Sequence, residues 1–352
     1  MKTISKSKTG LKSMPSLRRK SMTASQEDWV KLSPLFEDKH IPTLVSPTID
    51  DLDLVAWGKN NRSYIETLLK EHRALLFRGF NIHDVDPFEA FVLGTSDGSL
   101  LEYRDRTTPR HSEGGQSERV YISTVYPSEH SIKPHNEGSY WLKWARKLYF
   151  CALVTPDTGG ETPIYDVRKV YERIPDSIKA KFEEKKWMLI RNYNDGFGLP
   201  WEEVYQTKDP KAVESYCGEN NIEFEWQDET RLRTKSVRQA IHQHPDTGEK
   251  LWFNHAAFYH HSSLEVEMRK ALLAEFALDE LPYSSFYGDG TEISAEDIAQ
   301  INAAYEAEKV AFLWQKGDIL LLDNSSIAHG REPYTGDRRI VVGMTEPISD
   351  VE

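Results

Sequence analysis

Apolar positions in the first part of the chain recur with the spacing of a helix. Between Asp50 and His72 hydrophobic residues return every three or four positions, which predicts a helix with one buried face. The apolar run from Ala74 to Phe80 follows, and its unbroken hydrophobic character is typical of a buried strand. The sequence therefore predicts a helix that leads into a strand.

Further helices are predicted from residues that favour a helix N-terminus. Asp209-Pro210 combines an N-cap residue with a proline at the first helical position. Ser262 with Glu265, and Ser294 with Asp297, have the spacing of a capping box, in which the serine and the acidic side chain each bind a free backbone amide. The predicted helical insertions cover residues 200–220 and 262–308.

Short apolar or β-branched runs lie between these helices and are separated by turns rich in Gly, Pro and Asp. Short strands at irregular spacing favour a β-sandwich or a jelly roll. Because strands and helices do not alternate regularly, a doubly wound α/β sheet is disfavoured. The predicted fold is thus mainly β with helical insertions. The predicted strands cover residues 120–124, 147–154, 187–193, 223–226, 251–254, 310–314, 318–323 and 339–345.

The N-terminal residues differ in charge from the rest of the chain. The first 26 of the 352 residues hold seven basic residues, six serines and no acid, a composition that predicts a disordered basic arm over 1–28 and resembles a transit peptide. A single catalytic domain is predicted over 29–352. The whole chain carries a net charge of -12, which disfavours nucleic acid and anionic lipid as partners.

Two further features concern location. No apolar run approaches the roughly eighteen residues of a membrane helix, so no membrane span is predicted. Cys151 and Cys217 lie far apart and form no Cys-x-x-Cys pair, which disfavours a disulfide framework or a zinc cluster. The predicted location is a reducing cytoplasm.

The segment Lys133–Glu137 is the first candidate for chemistry. If it is extended, His135 and Glu137 point to the same face and present an imidazole and a carboxylate to one metal ion. A His-x-acid pair also arises by chance in a chain with 12 His and 56 acidic residues. The pair alone is therefore weak support for a metal site.

A second segment strengthens the metal hypothesis. The buried run Gly317–Asn324 leads to His329, and Arg338 and Arg339 follow at the start of another predicted strand. Two His and one carboxylate on one face of an octahedron leave three open positions, as in non-haem Fe(II) oxygenases. An arginine can bind the far carboxylate of a 2-oxo acid that chelates the metal, because a buried anion requires a partner.

Several segments occur in an order that is typical of one enzyme family. They are Leu75-Leu76-Phe77-Arg78-Gly79-Phe80, Tyr126-Pro127-Ser128, His135-Asn136-Glu137, Gly159-Gly160-Glu161-Thr162, Asn194 to Trp201, Trp252-Phe253-Asn254, Tyr287-Gly288-Asp289-Gly290, Asp323-Asn324 with His329-Gly330-Arg331, and Arg338-Arg339-Ile340. This pattern resembles the Fe(II)/2-oxoglutarate dioxygenases of the taurine dioxygenase and clavaminate synthase type. It is similar in particular to the branch that contains the syringomycin-pathway aspartyl hydroxylase. The resemblance covers residues 35–347.

The resemblance implies a double-stranded β-helix, or jelly roll, and a role for individual residues. His135, Glu137 and His329 match the family's iron ligands. Thr162 matches the hydroxyl that helps to bind 2-oxoglutarate, and Arg339 matches the arginine that pairs with its carboxylate. Arg338 is the alternative, because neighbouring strand residues point to opposite faces and the register is open by one residue.

The resemblance also implies an activity. Fe(II) is the cofactor, and 2-oxoglutarate and O2 are the co-substrates of a hydroxylase that oxidises an unactivated C–H bond. The expected substrate is an amino acid or a derivative of one, either free or bound to a peptidyl carrier protein, in specialised metabolite or nonribosomal peptide (antibiotic) biosynthesis. Desaturation, cyclisation or epoxidation are alternative outcomes. A non-catalytic metal-binding jelly-roll module is the alternative from another class.

Other polar residues are weaker candidates. Arg331 can bind a substrate carboxylate or brace Asp323, and Arg110 lies in a polar stretch that is either a substrate lid or a solvated loop. His242 and His244, together with His255, can be interpreted as a second metal site, but the turn after them favours histidines that flank a hairpin. His260-His261 is either cavity lining or a satisfied pair at a helix entry.

Overall fold

The computed structural model describes residues 26–103, 105, 112–123, 126–194 and 198–349. Its strands are β1 (Val30–Pro34), β2 (Thr43–Pro47), β3 (Ala74–Phe77), β4 (Tyr121–Ile122), β5 (Ile132–His135), β6 (Trp144–Val154), β7 (Thr158–Gly159), β8 (Ile164–Asp166), β9 (Trp187–Tyr193), β10 (Ile222–Trp226), β11 (Leu232–Arg238), β12 (Ile241–Gln243), β13 (Lys250–Trp252), β14 (Tyr283–Tyr287), β15 (Ile319–Asp323), β16 (Ile327–Arg331), β17 (Tyr334–Thr335) and β18 (Arg339–Ile348). Its α-helices are α1 (Leu54–Asn60), α2 (Arg62–His72), α3 (Val85–Thr95), α4 (Val167–Arg173), α5 (Asp176–Lys185), α6 (Trp201–Val204), α7 (Pro210–Glu219), α8 (Ala256–Tyr259), α9 (Val266–Glu275) and α10 (Ala295–Ala307).

Most of these elements belong to β-sheets, as predicted. In the described part of the chain, the largest sheet has the strand order β1-β2-β3-β15-β6-β18-β4, and a small sheet has the order β5-β16-β8. A third sheet, β10-β11-β9-β14, and the hairpin β12-β13 lie in the second half of the chain. Strands β2 and β3 pair in parallel, whereas β6, β15 and β18 pair antiparallel.

The core of the large sheet explains the unbroken apolar runs in the sequence. On β6, Tyr149 and Cys151 pack against a cluster that includes α1, α2 and α3, whereas Leu148 and Phe150 face a cluster shared with the small sheet. Both faces of the sheet are therefore covered, so residues 148–154 of β6 are all apolar rather than every second one.

The predictions from periodicity are mostly confirmed. The strands predicted at 147–154, 187–193, 318–323 and 339–345 are β6, β9, β15 and β18. The helix predicted over 50–72 exists but is divided into α1 and α2 at Asn61, which caps the first helix. Ser294 caps α10 through the amide of Asp297, as predicted.

Other local predictions are wrong. Residues 310–314 form no strand, and only Val310 makes an isolated bridge, to Ile164. Ser262 does not cap a helix, because it lies in a short 3-10 helix, and α9 begins after Glu265 without a side-chain cap. The insertion predicted over 262–308 is not purely helical, since it contains β14, which pairs with β9.

Some predictions fall outside the described residues. Residues 1–25 of the predicted basic arm and Arg110 are among these. Across the portions that are described, no helix has the length and apolar character needed to cross a membrane.

Phe91 gives a test of this core. Its ring is fully buried between Phe77 and Tyr149, with ring-centre distances of 5.1 and 6.3 Å. We expect Phe91→Ala to reduce the free energy of unfolding by about 3–5 kcal/mol, because it leaves a cavity in the core. Denaturant unfolding measures the loss. Leu313→Ala is the control, since a side chain that is 66% exposed should change the stability by less than about 0.5 kcal/mol.

Candidate metal centre

Two histidines face each other across a pair of antiparallel strands. His135 ends β5, and its Cα partner on β16 is His329. Side chains at directly opposite positions project from the same face of a sheet, and the two ring centres are 4.4 Å apart. Gly330 permits this close pairing, because a Cβ at that position would lie 2.6 Å from the carbonyl oxygen of Ile132.

A backbone contact fixes the protonation of His135. Its Nδ1 lies 2.9 Å from the carbonyl oxygen of Lys133. Since a carbonyl can only accept a hydrogen bond, Nδ1 carries the proton and Nε2 keeps a lone pair for a metal.

Glu137 lies beyond the end of β5 and is positioned by a side-chain amide. The amide nitrogen of Glu137 donates to Asn324 Oδ1 at 2.8 Å, and Asn324 Nδ2 donates to the carbonyl oxygen of Glu137 at 2.9 Å. Asn324 is fully buried and also donates to the carbonyl oxygen of Ala145. Its side chain thus replaces a strand partner for Glu137.

The structure brings the three predicted ligands together. One ligand atom from each of His135, Glu137 and His329 lies within 4.8 Å of the other two, and all three residues are buried. Glu137 Oε2 is 4.0 Å from His329 Nε2, and Tyr103 donates its hydroxyl hydrogen to Glu137 Oε1 at 2.5 Å. Two imidazoles and one carboxylate from one side match the donor set of non-haem Fe(II), so the residues fit that ion.

Thr162 and Arg338 form a polar site nearby. Thr162 precedes β8, whose residue Ile164 is the other strand partner of His329. Arg338 Nη2 lies 3.4 Å from Thr162 Oγ1, and its Nε donates to the carbonyl oxygen of Gly160 at 3.0 Å. Trp314 Nε1 donates to the same threonine oxygen at 3.1 Å.

The charge of Arg338 is not neutralised within the described residues. No carboxylate there forms an ion pair with its guanidinium, although the side chain is largely enclosed. Burial, together with the neighbouring Arg331, lowers the pKa of Arg338 to about 10, so the group remains a cation at neutral pH. A buried cation of this kind favours the binding of an anion.

The resemblance favours Arg339 as the 2-oxoglutarate anchor and leaves Arg338 as the alternative. In the structure it is Arg338 that lies beside Thr162. Arg339 Nε donates to Glu113 Oε2 at 2.5 Å, and its side chain is 42% exposed. Neighbouring strand residues point to opposite faces, and the β6–β18 register shifts between Arg339 and Ile340. The geometry therefore favours the alternative, Arg338, for the predicted role.

Arg331 supports a loop. Its two Nη atoms donate to the carbonyl oxygens of Tyr126, Pro127 and His130 at 2.5–2.8 Å. The alternative that Arg331 braces Asp323 is therefore wrong. A substrate contact by Arg331 is untested and stays a prediction.

Asp323 is held by other residues. It accepts hydrogen bonds from Arg73, at 3.2 Å, and from Ser326, at 2.8 Å, and its Oδ2 is 2.8 Å from His244 Nε2. Burial alone would raise the pKa of Asp323, but these partners lower it below its usual range. The ionised carboxylate stabilises the turn that carries Asn324.

His255 lies next to the candidate metal ligands, although the sequence grouped it with His242 and His244. Its ring centre is 5.4 Å from that of His135, and its Nδ1 is 2.5 Å from Ser139 Oγ. Burial and the proximity of His135 hold the pKa of His255 well below its usual range, so the ring is neutral. The hairpin β12-β13 forms as predicted and His255 follows its second strand, where it also packs against His135. In the sequence, the position of His255 directly after the family segment Trp252-Phe253-Asn254 was the feature that could have indicated its place near the metal centre.

A second cluster of possible metal ligands is less suited to bind an ion than the first cluster. Ligand atoms of His260, His261 and Glu292 also lie within 4.8 Å of one another. However, His260 Nε2 faces the carbonyl oxygen of Ile293 at 2.9 Å and its Nδ1 faces Ser262 Oγ at 2.7 Å. Both ring nitrogens of His260 are therefore engaged, as expected for a satisfied histidine.

A cleft of about 380 Å³ is lined in part by Glu102 and by Gln206, whose Nε2 donates to the carbonyl oxygen of Tyr103. Its lining is acidic and hydroxylic and also includes Asp105, Tyr205 and Glu219. Asp105 is buried and pairs with Arg191. Such a lining favours a cationic group over an anionic one.

Comparisons with known proteins agree with this geometry. The model of the taurine catabolism dioxygenase TauD/TfdA family matches residues 37–345. The dapdiamide synthesis protein DdaC of Enterobacter agglomerans is 37% identical over 284 residues, which cover 81% of this chain and 85% of that protein. A clavaminate synthase-like protein of Arabidopsis thaliana is 27% identical over 329 residues, which cover 88% of this chain and 94% of that protein.

A solved structure shows the same fold. PvcB of Pseudomonas aeruginosa has a TM-score of 0.53 and 14% identity, and the match covers 92% of this chain and 93% of that one. Another PvcB structure, with a TM-score of 0.51, 16% identity and coverage of 90% of both chains, is described as an Fe, alpha-ketoglutarate dependent oxygenase from an isonitrile synthetic pathway. At these identities the likeness concerns the fold alone.

Metal binding tests the centre directly. We expect His135→Ala and His329→Ala each to weaken Mn(II) binding by more than about 100-fold. The loss of a residue that binds the metal directly should weaken binding more than the loss of a residue that only positions such a ligand. Calorimetric titration measures the affinity, and circular dichroism checks the fold. His83→Ala, which changes an exposed histidine, is the matched control and should bind normally. Unchanged binding in both ligand variants would exclude this site.

Proposed function

Because the chain belongs to the taurine catabolism dioxygenase TauD/TfdA family and is an Fe(II)- and 2-oxoglutarate-dependent dioxygenase, we propose that His135, Glu137 and His329 bind its iron. The observation that carries this proposal is the convergence of one ligand atom from each residue to within 4.8 Å. Arg338 and Thr162 then bind the far carboxylate of 2-oxoglutarate. The remaining polar atoms of the co-substrate face the metal.

The packing of two sheets supports a more detailed assignment of the fold. The large sheet and the small sheet β5-β16-β8 share one apolar cluster, and His329 contacts Phe150 of the large sheet with a ring-centre distance of 5.0 Å. We assign these facing sheets to a double-stranded β-helix, or jelly roll, with the metal site between them. The catalytic domain over 29–352 remains our proposed domain boundary.

The chain's own residues prepare the site for oxidation. Iron, when bound with 2-oxoglutarate, supplies the activation of dioxygen for attack on a C–H bond. Lys133 and Asn324 fix the orientation of His135 and Glu137, so little rearrangement is needed when the ion binds. Phe150 and Phe258 pack against the histidines and exclude water from their rings.

The substrate is proposed from chemistry and from similarity. Because DdaC is a dapdiamide synthesis protein, we place this chain in the biosynthesis of a small specialised metabolite. The acidic cleft lined in part by Glu102 and Gln206 suits the ammonium group of an amino acid or a derivative. Hydroxylation is the proposed reaction, and presentation on a carrier protein in the cytoplasm is part of the same proposal.

The two arginines give a sharp test of the co-substrate site. We expect Arg338→Ala to weaken 2-oxoglutarate binding by about 100- to 1000-fold, because it removes the buried partner of a carboxylate. Arg339→Ala is the matched control and should change the affinity by less than threefold, because that side chain pairs with Glu113 at the surface. Anaerobic titration of the Mn(II)-loaded protein measures both. A larger loss for Arg339→Ala would reverse the assignment.

Turnover tests the function as a whole. Anaerobic Fe(II) and 2-oxoglutarate should give a weak visible charge-transfer band, which a non-catalytic module with no 2-oxoglutarate site would lack. In air, succinate release should rise with amino acids or carrier-bound amino acids when these are supplied as a panel. His135→Ala is the negative control. Equal succinate release from that variant and the wild type would contradict the proposed ligands.

A further inference from the structure

Tyr103 contacts the candidate metal centre through the carboxylate ligand. Its hydroxyl donates to Glu137 Oε1 at 2.5 Å, and both residues are almost completely buried. A hydrogen bond to an ionised group in such surroundings is among the stronger ones in proteins.

The surroundings of Tyr103 hold its ring in place. The ring packs edge-on against Tyr121 and Trp141, with ring-centre distances of 6.1 and 5.3 Å. Its backbone nitrogen donates to Tyr121 Oη at 3.3 Å, and its carbonyl oxygen accepts from Gln206 Nε2 at 3.0 Å. The hydroxyl is therefore held at a fixed point relative to Glu137.

The two oxygens of Glu137 consequently have different environments. Oε2 is the oxygen that lies 4.0 Å from His329 Nε2, whereas Oε1 accepts the tyrosine hydrogen. A carboxylate that binds an ion with both oxygens must direct both towards it. The hydrogen bond from Tyr103 opposes that rotation, because the rotation would break a charge-assisted bond.

We propose that Tyr103 is a positioning residue that holds Glu137 in single-oxygen coordination and thereby keeps a coordination position open. This inference rests on the proposed function. With iron bound, two histidines and one carboxylate oxygen would supply three of six ligands, and 2-oxoglutarate would supply two more. One position would then be left for dioxygen. If Glu137 bound through both oxygens, that last position would be filled.

Nitric oxide is a suitable probe of the last position, because it binds ferrous iron and gives a distinct electron paramagnetic resonance signal. We expect Tyr103→Phe to bind Mn(II) within threefold of the wild type. Its Fe(II)·2-oxoglutarate form should bind nitric oxide about tenfold more weakly, which is the effect of losing a hydrogen bond to a charged group. The substitution keeps the ring that packs against Trp141 and removes only one oxygen.

The controls separate this role from a structural one. Tyr149→Phe removes another buried hydroxyl, which contacts Thr95 far from the ligands, and should change neither affinity. Gln206→Ala removes the donor to the Tyr103 carbonyl from an exposed side chain and should weaken nitric oxide binding in the same direction by two- to threefold. If Tyr103→Phe does not fold, Gln206→Ala tests the same inference in its place.

The possible outcomes are distinct. Unchanged nitric oxide affinity in Tyr103→Phe would overturn the inference, and so would a parallel tenfold loss of Mn(II) affinity, which indicates only a general role in ligand orientation. If the wild type itself gives no charge-transfer band with Fe(II) and 2-oxoglutarate, the proposed function fails. A wild type with the band and a variant with normal nitric oxide binding would refute the role of Tyr103 alone.

Discussion

The antiparallel pairing of β5 with β16 is the constraint on which the site depends. It places His135 directly opposite His329, although the two lie 194 positions apart in the sequence. Because side chains alternate between the faces of a strand, a shift of this register by one residue would turn one imidazole away. The other neighbour of β16 is β8, so the same strand also brings the segment that holds Thr162 to the histidines.

A second set of interactions keeps the acidic ligand with these histidines. Glu137 lies beyond the end of β5, and the side chain of Asn324 makes two hydrogen bonds to its backbone. Asn324 itself follows Asp323, which is held by Arg73 and His244. The turn between β15 and β16 is thus stabilised by buried charges, and this turn connects the large sheet to the small one.

The sequence predicted many of the local elements and the three residues that the structure brings together as a candidate metal centre. Buried strands such as β15 are visible as apolar runs, and Asp209 marks α7 through its own hydrogen bond to the helix N-terminus. Such features depend on neighbours in the chain. The register of β18 depends instead on its long-range pairing with β6, including the shift at Arg339, and no local pattern encodes it. His255 was missed for a similar reason, because only folding brings α8 to β5.

The buried and partly buried arginines of the described residues fall into two groups, and the difference bears on the proposed co-substrate site. Arg191 pairs with Asp105 and Arg73 with Asp323, so their charges are balanced within the protein and stabilise the fold. Arg238, Arg331 and Arg338 have only neutral oxygens as hydrogen-bond partners among the described residues. Arg238 and Arg331 donate to backbone carbonyl oxygens, whereas Arg338 also lies beside the hydroxyls of Ser123 and Thr162. A cation that is enclosed without a carboxylate lowers the stability of the empty site and is neutralised when an anionic ligand binds. The lack of a carboxylate partner is thus not enough to mark a co-substrate site. The position of Arg338 beside Thr162, close to the candidate metal ligands, is what supports its proposed role.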